Sequence, residues 1–275
     1  MHLGPLAEHS FRNEYSASMI NLKGIILEDY DIFRLAVPHH DALQATLAKE
    51  IGNLFGNKKI RVLDLGVGTG LTSRAVLKYA PNTEIIGVDL DVKMTARAST
   101  NIGTSLTAVA EDLNTYLVSE KPESFDAVVS AFTIHNLSAD KREKICKEVF
   151  RVLKPGGIFV NADKIANNKT SVHKMELSRQ LEQFSVFKLQ GRPDLETGWT
   201  THYLEDEENK LLETEWESDL QSAMFTQVEK ILRIGMEAVY VARKKDAAPG
   251  DPLEKVGLCR MRRKRRYSTV SSTEK

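Results

Sequence analysis

The stretch VLDLGVGTGLT, Val62 to Thr72, sets glycines at Gly66, Gly68 and Gly70 directly after a run of strand-forming residues. Glycine loses more backbone freedom on folding than any other residue. Three at every second position mark a turn where the chain bends sharply or comes very close to another group. KIRVLDLG, Lys59 to Gly66, is short, apolar and β-branched, as expected of a buried parallel strand. LTSRAVLKYA, Leu71 to Ala80, has helical spacing, with Leu71, Ala75, Val76 and Tyr79 on one face.

The same alternation continues downstream. TEIIGVDLD (Thr83 to Asp91), SLTAVAEDL (Ser105 to Leu113), FDAVVSAFTI (Phe125 to Ile134) and GIFVNAD (Gly157 to Asp163) read as further strands. VKMTARAST (Val92 to Thr100) and Ser138 to Leu153 read as helices; Ser138 is placed to cap the second, and KPGG (Lys154 to Gly157) to stop it. Strands alternating with helices predict an α/β fold, a doubly wound and mainly parallel sheet covered on both faces. Beyond Lys164, residues from about Thr170 to Leu189 look helical, Gly191 to Thr200 reads as a loop, and Leu204 to Leu220 as a charged helix. Thr226–Arg233 and Met236–Arg243 are separated by two residues, which permits a hairpin and forbids a parallel crossover, so the sheet ends on an antiparallel strand. Ahead of the first strand a helix starts near Pro38, with Leu43, Leu47, Ile51 and Phe55 on one stripe. The expected organisation is a cap segment over 1–37 and a main domain over 38–245 with a helical insertion at about 165–222. A tail follows over 246–275.

The 275 residues carry 38 basic and 38 acidic side chains, so no net charge steers the protein toward nucleic acid or membrane. The tail alone is basic, with eight Lys or Arg against four acids and six basic residues within Arg260–Arg266. It is the one place where nucleic acid is an expected partner, although it lacks the aromatic residues that stack on bases. Cys146 and Cys259 show no metal spacing and no disulfide framework. No apolar stretch reaches the roughly 18–20 residues that span a bilayer. A cytoplasmic setting and no metal are expected, and the sequence carries no signal for oligomeric state.

Ligand chemistry narrows at the glycine turn. A P-loop needs lysine after its last glycine, and the dinucleotide fingerprint needs glycine where Leu71 stands. A nucleoside without a phosphate chain remains. Here VLDLGVGTG resembles the first motif of the class I S-adenosylmethionine-dependent methyltransferases, a seven-stranded, Rossmann-like family. Asp89 at the end of the second strand, Asp112 in AEDL, FDAVVSAFTIHNL and VFRVLKPGGIFVNAD resemble its further motifs, in order, over roughly Pro38 to Lys164. The resemblance implies S-adenosyl-L-methionine as cofactor. It implies Gly66, Gly68 and Gly70 against the methionine part, Asp64 toward its amino group, Asp89 on the ribose, Leu90 beside the adenine, and Asp112 with Leu113 at the adenine edge. Glu111 rivals Asp112, and helix N-caps are the structural alternative for both aspartates.

Methyl transfer from a sulfonium needs alignment above all, and a general base only where the nucleophile arrives protonated. His135 in TIHN, just past the fourth strand, is the first candidate base, with His202 in the inserted region the second. Tyr30, His39, Asn136, Trp199 and Tyr203 are candidates for substrate contact. The charge run Glu205–Lys210 reads as a solvated helix face. The resulting expectation is methyl transfer to a small-molecule acceptor. SAFTIHNLSADKREKICKEVFRVLKPGG also resembles part of the carboxy-S-adenosylmethionine synthases, in which Arg179 or Arg192 would meet the added carboxylate. A non-catalytic binding or regulatory subunit of the same fold is the third reading.

Overall fold

The computed structural model describes residues 30–246; most of the expected cap segment and nearly all of the basic tail, with Cys259, lie outside them. The described residues open with a 3-10 turn, Tyr30–Leu35, and helix α1, His40–Phe55. Then β1 (Ile60–Leu65), α2 (Leu71–Tyr79), β2 (Thr83–Asp89), α3 (Val92–Ile102), β3 (Leu106–Ala110), α4 (Leu113–Ser119), β4 (Phe125–Ala131), α5 (Ala139–Val152) and β5 (Leu153–Lys164) alternate. Four helices follow, α6 (Thr170–Gln183), α7 (Ser185–Leu189), α8 (Pro193–Glu205) and α9 (Glu213–Ser222), before the closing strands β6 (Gln227–Ile234) and β7 (Glu237–Arg243).

The seven strands lie in the order β3-β2-β1-β4-β5-β7-β6. The pairs from β3 through β5 are parallel, while β7 runs antiparallel to both β5 and β6. Order reverses between β1 and β4, because the chain first builds outward through β2 and β3 and then returns. Ligands of open α/β sheets bind at the carboxyl ends of strands that flank such a reversal. The turn after β1 and the loop after β4 both open there.

Two apolar layers sandwich the sheet. Leu43, Leu47 and Ile51 of α1 pack on one face with Val62, Val129 and Val160, as the stripe predicts; Phe55 is only partly buried. On the other, Ile145, Cys146, Val149 and Val152 of α5 meet Leu63, Val128 and Phe159, and Trp216 and Leu220 of α9 join them. Burial pushes the Cys146 thiol well above its ordinary range, which makes it an inert core residue. Among the described residues no helix is long and apolar enough to cross a membrane.

Three local expectations need correction. Gly191–Thr200 is not a loop: Pro193 opens α8, where a missing N–H costs nothing in the first turn. The charged stretch from Leu204 is two helices, since α8 ends at Glu205, a 3-10 turn covers Asp206–Glu208, and α9 starts at Glu213. Ser138 holds the N-cap position of α5 without a side-chain capping bond; its carbonyl accepts from Lys141 and Arg142 instead.

Candidate active site

The three glycines sit at φ of +73°, +51° and +90°, the left-handed region that side chains avoid, and each for its own reason. A Cβ on Gly66 would overlap the side chain of Thr133, which arrives from the loop after β4. One on Gly70 would come 2.9 Å from Ile102 Cγ1 of α3. One on Gly68 meets nothing nearer than the Gly66 carbonyl at 4.0 Å. The open backbone is therefore at Gly68, and it borders a cavity of about 470 Å³.

Asp89 ends β2 on this cavity with its carboxylate held by the backbone N–H groups of Gly68 (2.9 Å) and Asp91 (3.0 Å). Burial raises its proton affinity, and those two donors oppose the shift. Asp91, not Asp89, caps α3, accepting from Lys93 and Met94. Asp112 both lines the cavity and caps α4 through Asn114 (3.0 Å) and Thr115 (3.1 Å). Leu90, half-exposed, and Leu113 complete that wall; Glu111 does not line it. Asp64, expected to hold the amino group directly or through water, lies beneath the glycine turn. It is fully buried, accepts from Ser73 Oγ at 2.6 Å, and leaves Oδ1 without a partner. Burial pushes its carboxyl up to about 7. Neither Asp64 nor Gly70 lines the cavity.

The facing wall comes from the end of β4. Phe132 takes φ +52°, which turns the chain out of the strand one residue past Ala131 and into the 3-10 turn Ile134–Asn136. Ile134 and His135 then donate their N–H groups to Asp163 Oδ2 at 2.9 and 3.2 Å, while His135 Nδ1 lies 2.5 Å from Oδ1 of the same carboxylate. A carboxylate accepts only, so the neutral ring carries its proton on Nδ1 and leaves the Nε2 lone pair free. His135 and Asn136 line the cavity; Asn136 Oδ1 has no partner within the protein. Asp163, which orients the histidine, was not singled out from the sequence, although an acid within the apolar run GIFVNAD was a signal to follow.

The remaining wall is aromatic. Phe33 of the first turn stacks on Trp199 of α8 at 4.0 Å between centroids, with Tyr203 and Phe132 at 6.5 and 6.0 Å. All four line the cavity, and His202 of α8 joins them. Burial pushes the His202 imidazolium down to about 3, so the ring is neutral near pH 7. The first turn is fastened to the glycine turn, since Thr69 Oγ1 donates to Asp31 at 2.6 Å. His39 is exposed at the N-cap position of α1 and lies outside the cavity lining; its neighbour His40 is the buried one, stacked on Phe132. Tyr30 begins the first turn. Asp206, within the run expected to be solvated, is 9% exposed at its side chain and pairs with Lys164 and His202. Arg179 is exposed on α6 and Arg192 pairs with Asp194, so neither arginine borders the cavity.

Residues 62–157 match the family model described as a methyltransferase domain. Those residues are a methyltransferase domain. It is similar to the carboxy-S-adenosyl-L-methionine synthase of Nautilia profundicola, 24% identical over 78% of this chain and 89% of that protein. The demethylmenaquinone methyltransferase of Thermotoga maritima is 36% identical, but over 36% of this chain and 42% of that one. Among solved structures, the 1,6-didemethyltoxoflavin-N1-methyltransferase of Burkholderia thailandensis, with bound 1,6-didemethyltoxoflavin and S-adenosylhomocysteine, superposes with a TM-score of 0.54. It is 16% identical, over 90% of this chain and 94% of the other, and so speaks to the fold.

The motif resemblance implies S-adenosylmethionine as the cofactor of this methyltransferase domain. The residues fit it: bare backbone at Gly68, an ionisable acceptor pair in Asp89 and Asp112, and the apolar Leu90 and Leu113 between them. A carboxylate oxygen has lone pairs beyond those used by Gly68 and Asp91, so Asp89 retains capacity for two ligand hydroxyls. Asp89→Ala is expected to weaken S-adenosylmethionine binding by about 1.5–3 kcal/mol, the loss of a charged hydrogen-bonding partner. Calorimetry reads this directly, and unchanged affinity would put the ribose elsewhere.

Proposed function

We propose that the protein methylates a small-molecule acceptor whose nucleophilic oxygen or nitrogen enters the cavity carrying a proton, with His135 as the general base. The observation that carries this reading is the 2.5 Å contact of His135 Nδ1 with Asp163, which fixes the ring at the cavity wall and leaves Nε2 as the nitrogen to accept a proton. The bound cofactor supplies an electrophilic methyl group on a positively charged sulfur, which becomes a neutral thioether on transfer. Asp89 holds the ribose hydroxyls, Leu90, Asp112 and Leu113 the adenine side, and the Gly66–Gly68 backbone the methionine portion. Phe33, Phe132, Trp199 and Tyr203 seat the acceptor and keep water from it. As the new bond to carbon forms, the acceptor's proton passes to His135 Nε2, and Asp163 stabilises the imidazolium. After the product departs, that proton returns to solvent. Asn136, with its unpartnered Oδ1, offers an acceptor for a donor on the substrate.

Release of S-adenosylhomocysteine, followed across a panel of hydroxyl and amine acceptors, tests the reading; turnover confined to acceptors without a proton to lose would refute it. A second reading takes its support from the synthases among the relatives. Among the described residues, Lys93 and Lys141 are the lysines that border the cavity, and no arginine does. A carboxylated cofactor found by mass spectrometry in the purified protein would favour that reading. No heat with either S-adenosylmethionine or S-adenosylhomocysteine would point instead to a non-catalytic role.

A further inference from the structure

At the cavity wall His135 and Asp163 belong to a larger cluster whose other members, Lys164, His202 and Asp206, the methyl-transfer scheme does not use. Lys164, the last residue of β5, donates to Asp206 Oδ2 and lies over the Tyr203 ring at 4.1 Å. The same oxygen is 3.4 Å from His202 Nε2 and 4.0 Å from His135 Nε2. The side chains of Lys164, Asp206, His202 and His135 are 6–9% exposed, and that of Asp163 is fully buried. Burial pushes the Asp206 carboxyl up; Lys164 and the two histidines outweigh it, leaving the carboxylate ionised.

His135, His202 and Asp206 each bring one donor atom within 4.8 Å of the others, which is also the outline of a metal site. The ammonium of Lys164 argues against that use, because it already sits on the oxygen that both histidines face. Charge balance favours a proton. With neutral rings, Asp163 and Asp206 contribute two negative charges and Lys164 one positive, so the buried group is one positive charge short. An acceptor proton arriving on His135 closes the balance.

We propose that Asp206 is a positioning residue for His135: it sets a second carboxylate beside Nε2, so that the imidazolium formed when Nε2 takes the acceptor's proton is held between Asp163 and Asp206. The proposal rests on His135 acting as base. During transfer the acceptor's X–H bond breaks, the proton and no electrons move to Nε2, and the electron pair left on X forms the bond to the methyl carbon. Facing the ring are Asp163 and Lys164 from β5, His202 from α8 and Asp206 from the turn that follows it, with Glu237 of β7 opposite Lys164. Lys141 of α5 and Asp89, Asp91 and Asp112 border the same cavity. Lys164 moderates the field of Asp206, and the two side chains therefore affect the base with opposite signs.

The test is the pH dependence of kcat/KM in the full chain. Asp206→Asn is expected to lower kcat about tenfold or more and to shift the acidic limb at least about half a unit toward lower pH, because a nearby carboxylate favours the imidazolium. KM for S-adenosylmethionine should be unchanged. Lys164→Met should shift the limb the opposite way. Should that variant fail to fold around an unpaired carboxylate, Asp206→Asn/Lys164→Met carries no such charge, and its limb should lie above that of Asp206→Asn. Asp206→Glu should recover part of kcat. An unmoved limb in the Asp206 variants beside an inactive His135→Ala would overturn this role and leave the base intact; an active His135→Ala would overturn the base itself. Titration with Co2+ alone should yield no visible ligand-field bands, and bands that Asp206→Asn abolishes would overturn the proposal in favour of a metal centre.

Discussion

His135→Ala is expected to lower kcat by about 10²–10⁴-fold, the range for removing a positioned general base, while the affinity for S-adenosylmethionine stays near that of the parent protein. In free energy this is about 2.7–5.5 kcal/mol of the barrier. The split between turnover and cofactor affinity follows from placement. His135 comes from the loop after β4, whereas the proposed cofactor side of the cavity is built from the glycine turn and the ends of β2 and β3. Asp163→Asn sharpens the test. An amide at position 163 whose oxygen still accepts the backbone N–H groups of Ile134 and His135 turns its NH2 toward Nδ1, so the ring proton moves to Nε2. Its kcat should fall nearly as far as that of His135→Ala, and the pH profile should change with it. Single-turnover measurement at saturating cofactor separates this loss from product release. Full activity in His135→Ala would take the ring out of the chemistry and return the rate to alignment alone.

The parts of this site that sequence reading reached are those written in local pattern. A β-branched run that ends in alternating glycines allows few other structures, and β1 and α2 lie where that pattern puts them. Helix α8 was equally visible in one respect. Leu195, Trp199, His202 and Tyr203 are its buried residues, a spacing of four, three and one that belongs to a helix face. The scattered Gly191, Pro193, Asp194 and Gly198 masked it, since each is a turn residue in isolation. Asp206 was not legible at all. Nothing within EDEENK separates it from its acidic neighbours; its burial is set by Lys164, 42 positions earlier, across the tertiary fold. The histidine pair at 39 and 40 turned on helix phase. Starting α1 at His40 sends that ring inward onto Phe132 and leaves His39 in solvent. Asp112 shows the limit of motif inference from the other side, since it caps α4 and borders the cavity together, so the cap and the ligand contact were never exclusive.

Gly66→Ala is the substitution expected to cost the fold most within the site, about 2–5 kcal/mol. Roughly 1–2 kcal/mol comes from holding an L-residue at φ +73°, and about 1–3 kcal/mol from overpacking against Thr133. Thr133 cannot step aside cheaply, being short, β-branched and within the loop that also carries His135. For a chain of this size, each kcal/mol corresponds to roughly 2–4 °C in Tm, so thermal unfolding should resolve the loss. Gly66→Ala/Thr133→Ala should recover the packing share and keep the backbone share. Gly68→Ala sets the contrast. Its φ is also positive, yet its Cβ would project into open space, so stability should fall by only the roughly 1–2 kcal/mol of backbone strain. Its affinity for S-adenosylmethionine should fall more steeply than its stability, because in the proposed site the new methyl group would take space that the ligand's methionine portion needs. Gly66→Ala should show the reverse ranking, with melting lowered first and binding lost as a consequence. The two glycines stand two residues apart in one turn, so a general weakening of the turn would lower melting and binding in the same ratio for both. That result would mean the backbone at Gly68 does not face the ligand.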